Sequence, residues 1–200
     1  QLIALRGIHE PYNYSRHIFG FDTFEGFINT SKEKDGINNP DYLFLDVFFG
    51  MSRKEFYDYC WDMNKQKIFT HGTGNTSVQY RLENELKEPV FMRFYPSFHE
   101  DKIYEMPVTF TYDKWAPWNK QYWSDKLLED LLVVFKKWYG DDFQLINHPS
   151  QGKIYAKMDK YRRINIFIRD DQYVQAVFTD MRKVEAVEKK AKEDLEEEKK

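Results

Sequence analysis

A single cysteine, Cys60, stands in the whole chain. One thiol excludes an intramolecular disulfide framework and a multi-cysteine metal site. With Phe56, Tyr59 and Met63 around it, Cys60 reads as a buried structural thiol. No apolar run approaches the ~20 residues of a helical membrane span. A transmembrane segment is therefore not expected, and peripheral membrane association is left open. Neither charge sign dominates: 30 Lys+Arg stand against 33 Asp+Glu, net −3. Nothing imposes the basic face of a nucleic-acid binder, so nucleic acid is not expected as a partner. The five histidines (His9, His17, His71, His99 and His148) contain no H-x-x-x-H pair, so no metal site and no cofactor are expected. The loop His71-Gly72-Thr73-Gly74-Asn75 shares only its glycines with a phosphate cradle, lacking the G-x-x-x-x-G-K-[ST] spacing. The nucleophile elbow G-x-S-x-G is missing too. No catalytic residue is assigned, and the reading leans away from an enzyme. Leu2-Ile3-Ala4-Leu5 before Arg6 is a candidate remnant of a signal or anchor. Three N-x-[ST] sequons, at Asn13, Asn29 and Asn75, would matter only on a eukaryotic secretory route.

Aromatic residues are abundant, with 17 Phe, 14 Tyr and 5 Trp. Side chains of this kind suit half-buried sheets and binding faces, and a sheet core with a tyrosine-rich rim is the favoured reading. Gly50-Met51-Ser52-Arg53-Lys54-Glu55 has the S-x-x-E spacing of a capping box. Phe56, Tyr59, Cys60 and Met63 follow at i, i+3, i+4 and i+7 on one helical face. A second helix is expected from Ser124, read as its cap. Leu128, Leu131, Phe135 and Trp138 form its stripe, widened by Leu127 and Val134, and Gly140 is its C′ residue. The two helix starts lie 72 residues apart, from Ser52 to Ser124. Each is followed by alternating strands. Val78, Tyr80 and Leu82 mark one. Residues 90–95 (VFMRFY) read as a central strand covered on both faces. Residues 103–112 alternate around Pro107, which predicts an edge position or a bulge. After the second helix come strands starting at Phe143 and at Ile154. Residues 162–169 and 173–179 pair as a hairpin across Asp170-Asp171-Gln172, with Ile164, Ile166 and Ile168 on one face and Val174, Ala176 and Phe178 on another.

The resulting expectation is an α+β fold of two helix-plus-antiparallel-meander units forming one body, with a charged C-terminal helix. The organisation is residues 1–47 as an irregular segment packing on the body, 48–118 as the first unit, 119–180 as the second and 181–200 as the helix. In the first segment Phe19, Phe21, Phe24 and Phe27 cluster, and residues 41–49 (DYLFLDVFF) form a buried strand or a helix lead-in.

Two stretches are not absorbed by this scaffold. Trp115, Trp118, Tyr122 and Trp123 crowd around Pro117. They form either a plug between the units, the favoured reading, or an exposed face for a sugar or a protein partner. In the terminal helix, Val184, Val187, Ala191 and Leu195 make a thin apolar stripe among i, i+4 ion pairs such as Glu185/Lys189. That stripe belongs either to a solvated helix or to one that binds a partner.

Residues Gly50, Met51, Ser52, Glu55 and Phe56, with Trp138, Tyr139 and Gly140 closing the second helix, carry a resemblance. The order helix, meander, helix, meander resembles the β-lactamase-inhibitor-protein-like fold and the small outer-membrane-assembly lipoproteins of the SmpA/OmlA kind. Residues 48–180 are similar to an uncharacterised family of Bacteroidetes envelope or secreted proteins. The resemblance implies an antiparallel sheet packed by helices and used for protein contacts, and it transfers no catalytic residue. The expected function is a non-enzymatic protein-interaction or accessory subunit of a bacterial cell-envelope assembly. The alternative is a ligand- or glycan-binding protein using residues 115–123. The expected location is the cell envelope or outside the cell, with the cytoplasm as the alternative.

Overall fold

The computed structural model describes residues 39–72, 76–149 and 151–197, with side chains as far as Lys189. The aromatic cluster at Phe19 to Phe27, the sequon asparagines, His9 and His17 lie outside the described residues. The described residues begin with β1 (Tyr42–Phe44) and β2 (Val47–Phe48), an antiparallel hairpin. The apolar run at 41–49 is thus folded back on itself, because Leu45 takes φ 52 and starts the turn. Leu43, Phe44, Val47 and Phe49 are buried by it.

Helix α1 (Arg53–Lys65) opens on a complete capping box. The Ser52 hydroxyl accepts from the Glu55 amide at 3.2 Å, and the Glu55 carboxylate accepts from the Ser52 amide at 2.7 Å. Such a cap contributes about 1 kcal/mol. Phe56 is fully buried, while Tyr59, Cys60 and Met63 pack partly buried along the same stripe.

Helix α2 (Ser124–Tyr139) starts differently from the expectation. Ser124 is its first helical residue and does not cap it. The Ser124 side chain is buried, its amide donates to the Asp171 carbonyl at 3.0 Å, and the Lys126 and Leu127 amides donate to the Trp123 carbonyl. The turn at 170–172, itself held by Asp170 accepting from the Gln172 and Tyr173 amides, displaces the local capping rule. The helix buries Leu127, Leu131, Val134, Phe135, Trp138 and Tyr139. It ends at Gly140, whose φ of 96 favours glycine.

Among the described residues, nine strands build one antiparallel sheet. They are β3 (Thr70–His71), β4 (Val78–Leu82), β5 (Val90–Phe94), β6 (Ser97–His99), β7 (Lys102–Tyr112), β8 (Gln144–His148), β9 (Gly152–Asp159), β10 (Arg162–Ile168) and β11 (Val174–Asp180). The order is β3-β4-β5-β7-β11-β10-β9-β8, with β6 also on β7. Each helix is therefore followed by a meander, and the last strands of the two meanders pair with each other. The recurrence is metric. Val90 and Arg162 open β5 and β10 and Lys102 and Val174 open β7 and β11, each pair 72 residues apart. In the β7–β11 ladder Met106 faces Phe178, its own equivalent 72 residues on. Pro107 facing Val177 mirrors Thr179 facing Glu105. Met106 and Phe178 thus mark a pseudo-twofold axis through the sheet.

Two strand expectations are corrected. Of the two alternatives at Pro107 the edge position is overturned, since β7 is central and Pro107 lies within its ladder to β11, while an irregularity does occur on the β6 side of β7. The proline is accommodated because the neighbour on the other side is broken there: β5 stops at Phe94 opposite Val108, and β6 resumes at Ser97 opposite Glu105, with a register shift. Strand β5 is central as expected but not covered on both faces. Val90, Met92 and Phe94 are buried, whereas Phe91 and Arg93 are half-buried on the opposite face.

Helices α1 and α2 and the β1–β2 hairpin all lie on the face carrying Phe94, Phe110 and Phe178. The ring centroids are 6.5 Å apart for Phe56 and Phe94, 5.1 Å for Phe44 and Phe94, and 5.9 Å for Phe135 and Phe110. Phe178 meets Phe44, Phe135 and Tyr139 within 6.0 Å. It joins the hairpin, α2 and the central strand pair. Phe178→Ala should therefore cost about 3–5 kcal/mol in urea denaturation. Val133→Ala, at an α2 position 70% exposed, should change stability by less than about 0.5 kcal/mol.

Candidate functional site

Two corners of the body gather the side chains that the core does not explain. The first joins the start of the described chain to its end. Arg162 has the parity of Ile164 and Ile166, so it points into the core, and it is fully buried. Its guanidinium donates to the Tyr42 carbonyl at 2.6 Å and to the Asn39 carbonyl at 3.3 Å. It pairs with Asp159 at 2.9 Å and lies 5.0 Å from the Tyr139 ring centroid. Lys157, also buried, bridges Asp159 at 2.8 Å and Asp142. Burial alone would lower the Lys157 ammonium, but hydrogen bonds to both carboxylates outweigh it and hold the value above its ordinary one. The same bond to Lys157 pulls Asp142 below the usual carboxylate range. Tyr139 donates its hydroxyl to the Leu43 carbonyl at 2.5 Å, and burial pushes its pKa well up. Arg162 was missed by sequence reading. Its signal is a charge at a core-facing position of an alternating strand.

Helix α3 (Met181–Glu197) leaves from this corner. The Met181 amide donates to the Tyr161 carbonyl. Buried Asp180 accepts from the Arg182 amide at 3.0 Å and takes its guanidinium through both oxygens, at 2.8 and 2.7 Å. Arg182 also reaches Asp41 at 2.7 Å and stacks 3.5 Å from the Tyr161 ring centroid. The bond to Asp180 is the main cause that raises the Arg182 value. Among the described residues α3 is in contact with β11, the strand that it continues. Val184 and Val187 are half-buried, and the side chains of Ala191 and Leu195 lie outside the described residues.

The second corner is the connector between β7 and α2. Trp115 and Tyr122 are half-buried and pack on the core. Trp123 is half-buried under Lys120, 5.5 Å from its ring centroid. Trp118 alone projects, 86% exposed. The four rings therefore do not make one exposed face. The Tyr112 hydroxyl donates to Asp130 at 2.7 Å, Lys87 bridges the other Asp130 oxygen at 2.7 Å, and Lys114 bridges Glu88 at 2.7 Å. These bonds fix the connector to α2 and to the loop before β5.

The remaining reactive groups are dispersed. His71, His99 and His148 sit on β3, β6 and β8. Among the described residues no group of three His, Cys, Asp or Glu is placed to hold a metal. Burial pushes the Cys60 thiol up to about 12, so it stays protonated at neutral pH. No described helix is long and apolar enough to cross a membrane.

The buried corner makes a quantitative prediction. Arg162→Met leaves the carbonyls of Tyr42 and Asn39 without their donor and removes one partner of Asp159. Urea denaturation should show a loss of about 3–5 kcal/mol. Arg169→Met, breaking an exposed pair with Asp170, should cost under about 1 kcal/mol. Equal effects for the two variants would contradict the role given to Arg162.

Comparisons with protein-family models, curated proteins and solved structures find no match to this chain. What bears on its function is therefore the α+β fold and the surfaces just described.

Proposed function

We propose that this chain is a non-enzymatic protein-interaction or accessory subunit of a bacterial cell-envelope assembly, and that α3 is the element its partner holds. One observation carries the reading. The first turn of α3 is pinned by Arg182 to Asp180, Asp41 and Tyr161, so the helix leaves the body in a fixed direction. Most helical stability in proteins comes from packing of an amphipathic face and not from propensity. Fixing its base aims it, and the stripe begun by Val184 and Val187 and continued in sequence by Ala191 and Leu195 gives a partner an apolar seam. The nine-stranded sheet supplies a rigid base for that aim. The envelope setting is supported by the resemblance of the helix-meander-helix-meander order to envelope proteins.

The alternative, ligand or glycan binding by residues 115–123, draws support from the exposed Trp118 ring. Its neighbours Trp115, Tyr122 and Trp123 already have packing to do.

The proposal is tested by mild cross-linking of the full chain in native envelopes, followed by purification and mass measurement. A defined protein partner should be recovered with the parent chain and with Val133→Asp. Its yield should fall at least tenfold with Val184→Asp/Val187→Asp. A chain that runs alone as a monomer, or a double variant that keeps the partner, would contradict the proposal.

A further inference from the structure

Strand β3 pairs with β4 only through Thr70 opposite Gln79 and His71 opposite Val78. Continuing that antiparallel register would set Ile68 opposite Arg81. The chain takes another path. Lys67 adopts φ 60, and the amides of Ile68 and Phe69 donate to the Met63 carbonyl at 3.0 and 3.3 Å, closing the end of α1. Residues 66–68 therefore peel away from β4, and a groove of about 490 Å³ opens between them and residues 79–85. That volume falls within the ~300–1,000 Å³ of small-molecule sites. The β3–β4 pairing closes one end, so the groove is a wedge and offers no through path for an added strand.

Its chemistry narrows the occupant. The walls carry the amides of Gln66, Gln79 and Asn84 and the hydroxyl of Thr70. A carboxamide both donates and accepts, which matches a ligand hydroxyl that does the same. Gln79 is held in place: its Oε1 accepts from Arg93 Nε at 2.8 Å, and its Nε2 lies 3.4 Å from Thr70 Oγ1. The formal charges balance, with Lys67 and Arg81 against Glu83 and Glu85. Arg81 is already engaged by Glu83 at 2.6 Å and Asp113 at 2.8 Å. An anionic ligand would meet the two glutamates, and a cation would meet Lys67 and Arg81. Tyr80, whose ring packs on Phe69 on the core face, and Phe91, on the opposite face of the sheet, complete the lining.

We infer that this groove binds a neutral polyhydroxylated ligand, one or two sugar residues in size. The site is separate from α3 and from the Trp118 connector, and it stands or falls without them.

The test is titration of the full chain with cellobiose and with maltose, read from amide correlation NMR spectra. At least one sugar should shift the amides of residues 66–70 and 79–85, saturating with a dissociation constant of roughly 1–10 mM. Gln66→Ala/Asn84→Ala alters exposed side chains and should keep the rest of the spectrum while weakening binding at least tenfold. Inorganic phosphate and an uncharged tetrapeptide serve as the competing probes. No saturable shift with either sugar, equal binding by the variant, or tighter saturation of the same amides by phosphate or peptide would each overturn the inference.

Discussion

The antiparallel pairing of β7 with β11 is the constraint on which the rest of this molecule depends. Each meander alone would end in an unpaired edge, a row of open backbone donors and acceptors. Pairing the two last strands removes both edges at once and sets Met106 against Phe178 at the pseudo-twofold axis. It also places α1 and α2 on one face, where Phe94, Phe110 and Phe178 form a common floor. The aromatic richness of the chain finds its use here. Large rings meeting mostly edge to face can span the distance between a broad sheet and two helices, with each such pair adding about 0.5–1.5 kcal/mol beyond its buried area.

The buried corner at Arg162 does the same for the two ends of the described residues. A fully buried guanidinium has a high desolvation cost, and it is tolerated only where nearly every donor direction is answered. Two backbone carbonyls from residues 39 and 42, the Asp159 carboxylate and the Tyr139 ring answer it. The arrangement ties the β1–β2 hairpin to the second meander, across a sequence separation of about 120 residues. Its neighbour Arg182 extends the tie to α3. The start of α3 is thus set by the same corner that locates the hairpin, and the aim of the helix follows from the fold of the body.

Local rules were legible in the sequence, and their failures have local causes. The Ser52 box could be read because all its partners lie within three residues. The β10–β11 hairpin could be read because its strands alternate across a short turn of aspartates. The 72-residue recurrence marked the two units, but which strands would join them was not visible, since that ladder links residues far apart in the chain. Ser124 obeyed the same spacing logic as Ser52 yet lost its cap to a distant turn that supplies the Asp171 carbonyl. Pro107 was readable only as an edge or bulge residue, because the break that accommodates it lies in the neighbouring strand. In the candidate sites, the Trp115 to Trp123 crowd was conspicuous, but composition does not tell Trp118, which projects, from its packed neighbours. The groove beside β4 was invisible, because it is made by residues 66–68 leaving a register that only three dimensions define.

The central claim is that two similar meanders are one cooperative body, fused at β7 and β11. Native-state hydrogen exchange under increasing denaturant tests it most directly, because it resolves the free energy at which each strand opens. Amides of β4 and β5 in the first unit and of β9 and β10 in the second should converge on one global unfolding free energy, shared with the β7–β11 ladder. Convergence of the two units on separate values, with the β7–β11 amides exchanging before either, would contradict it.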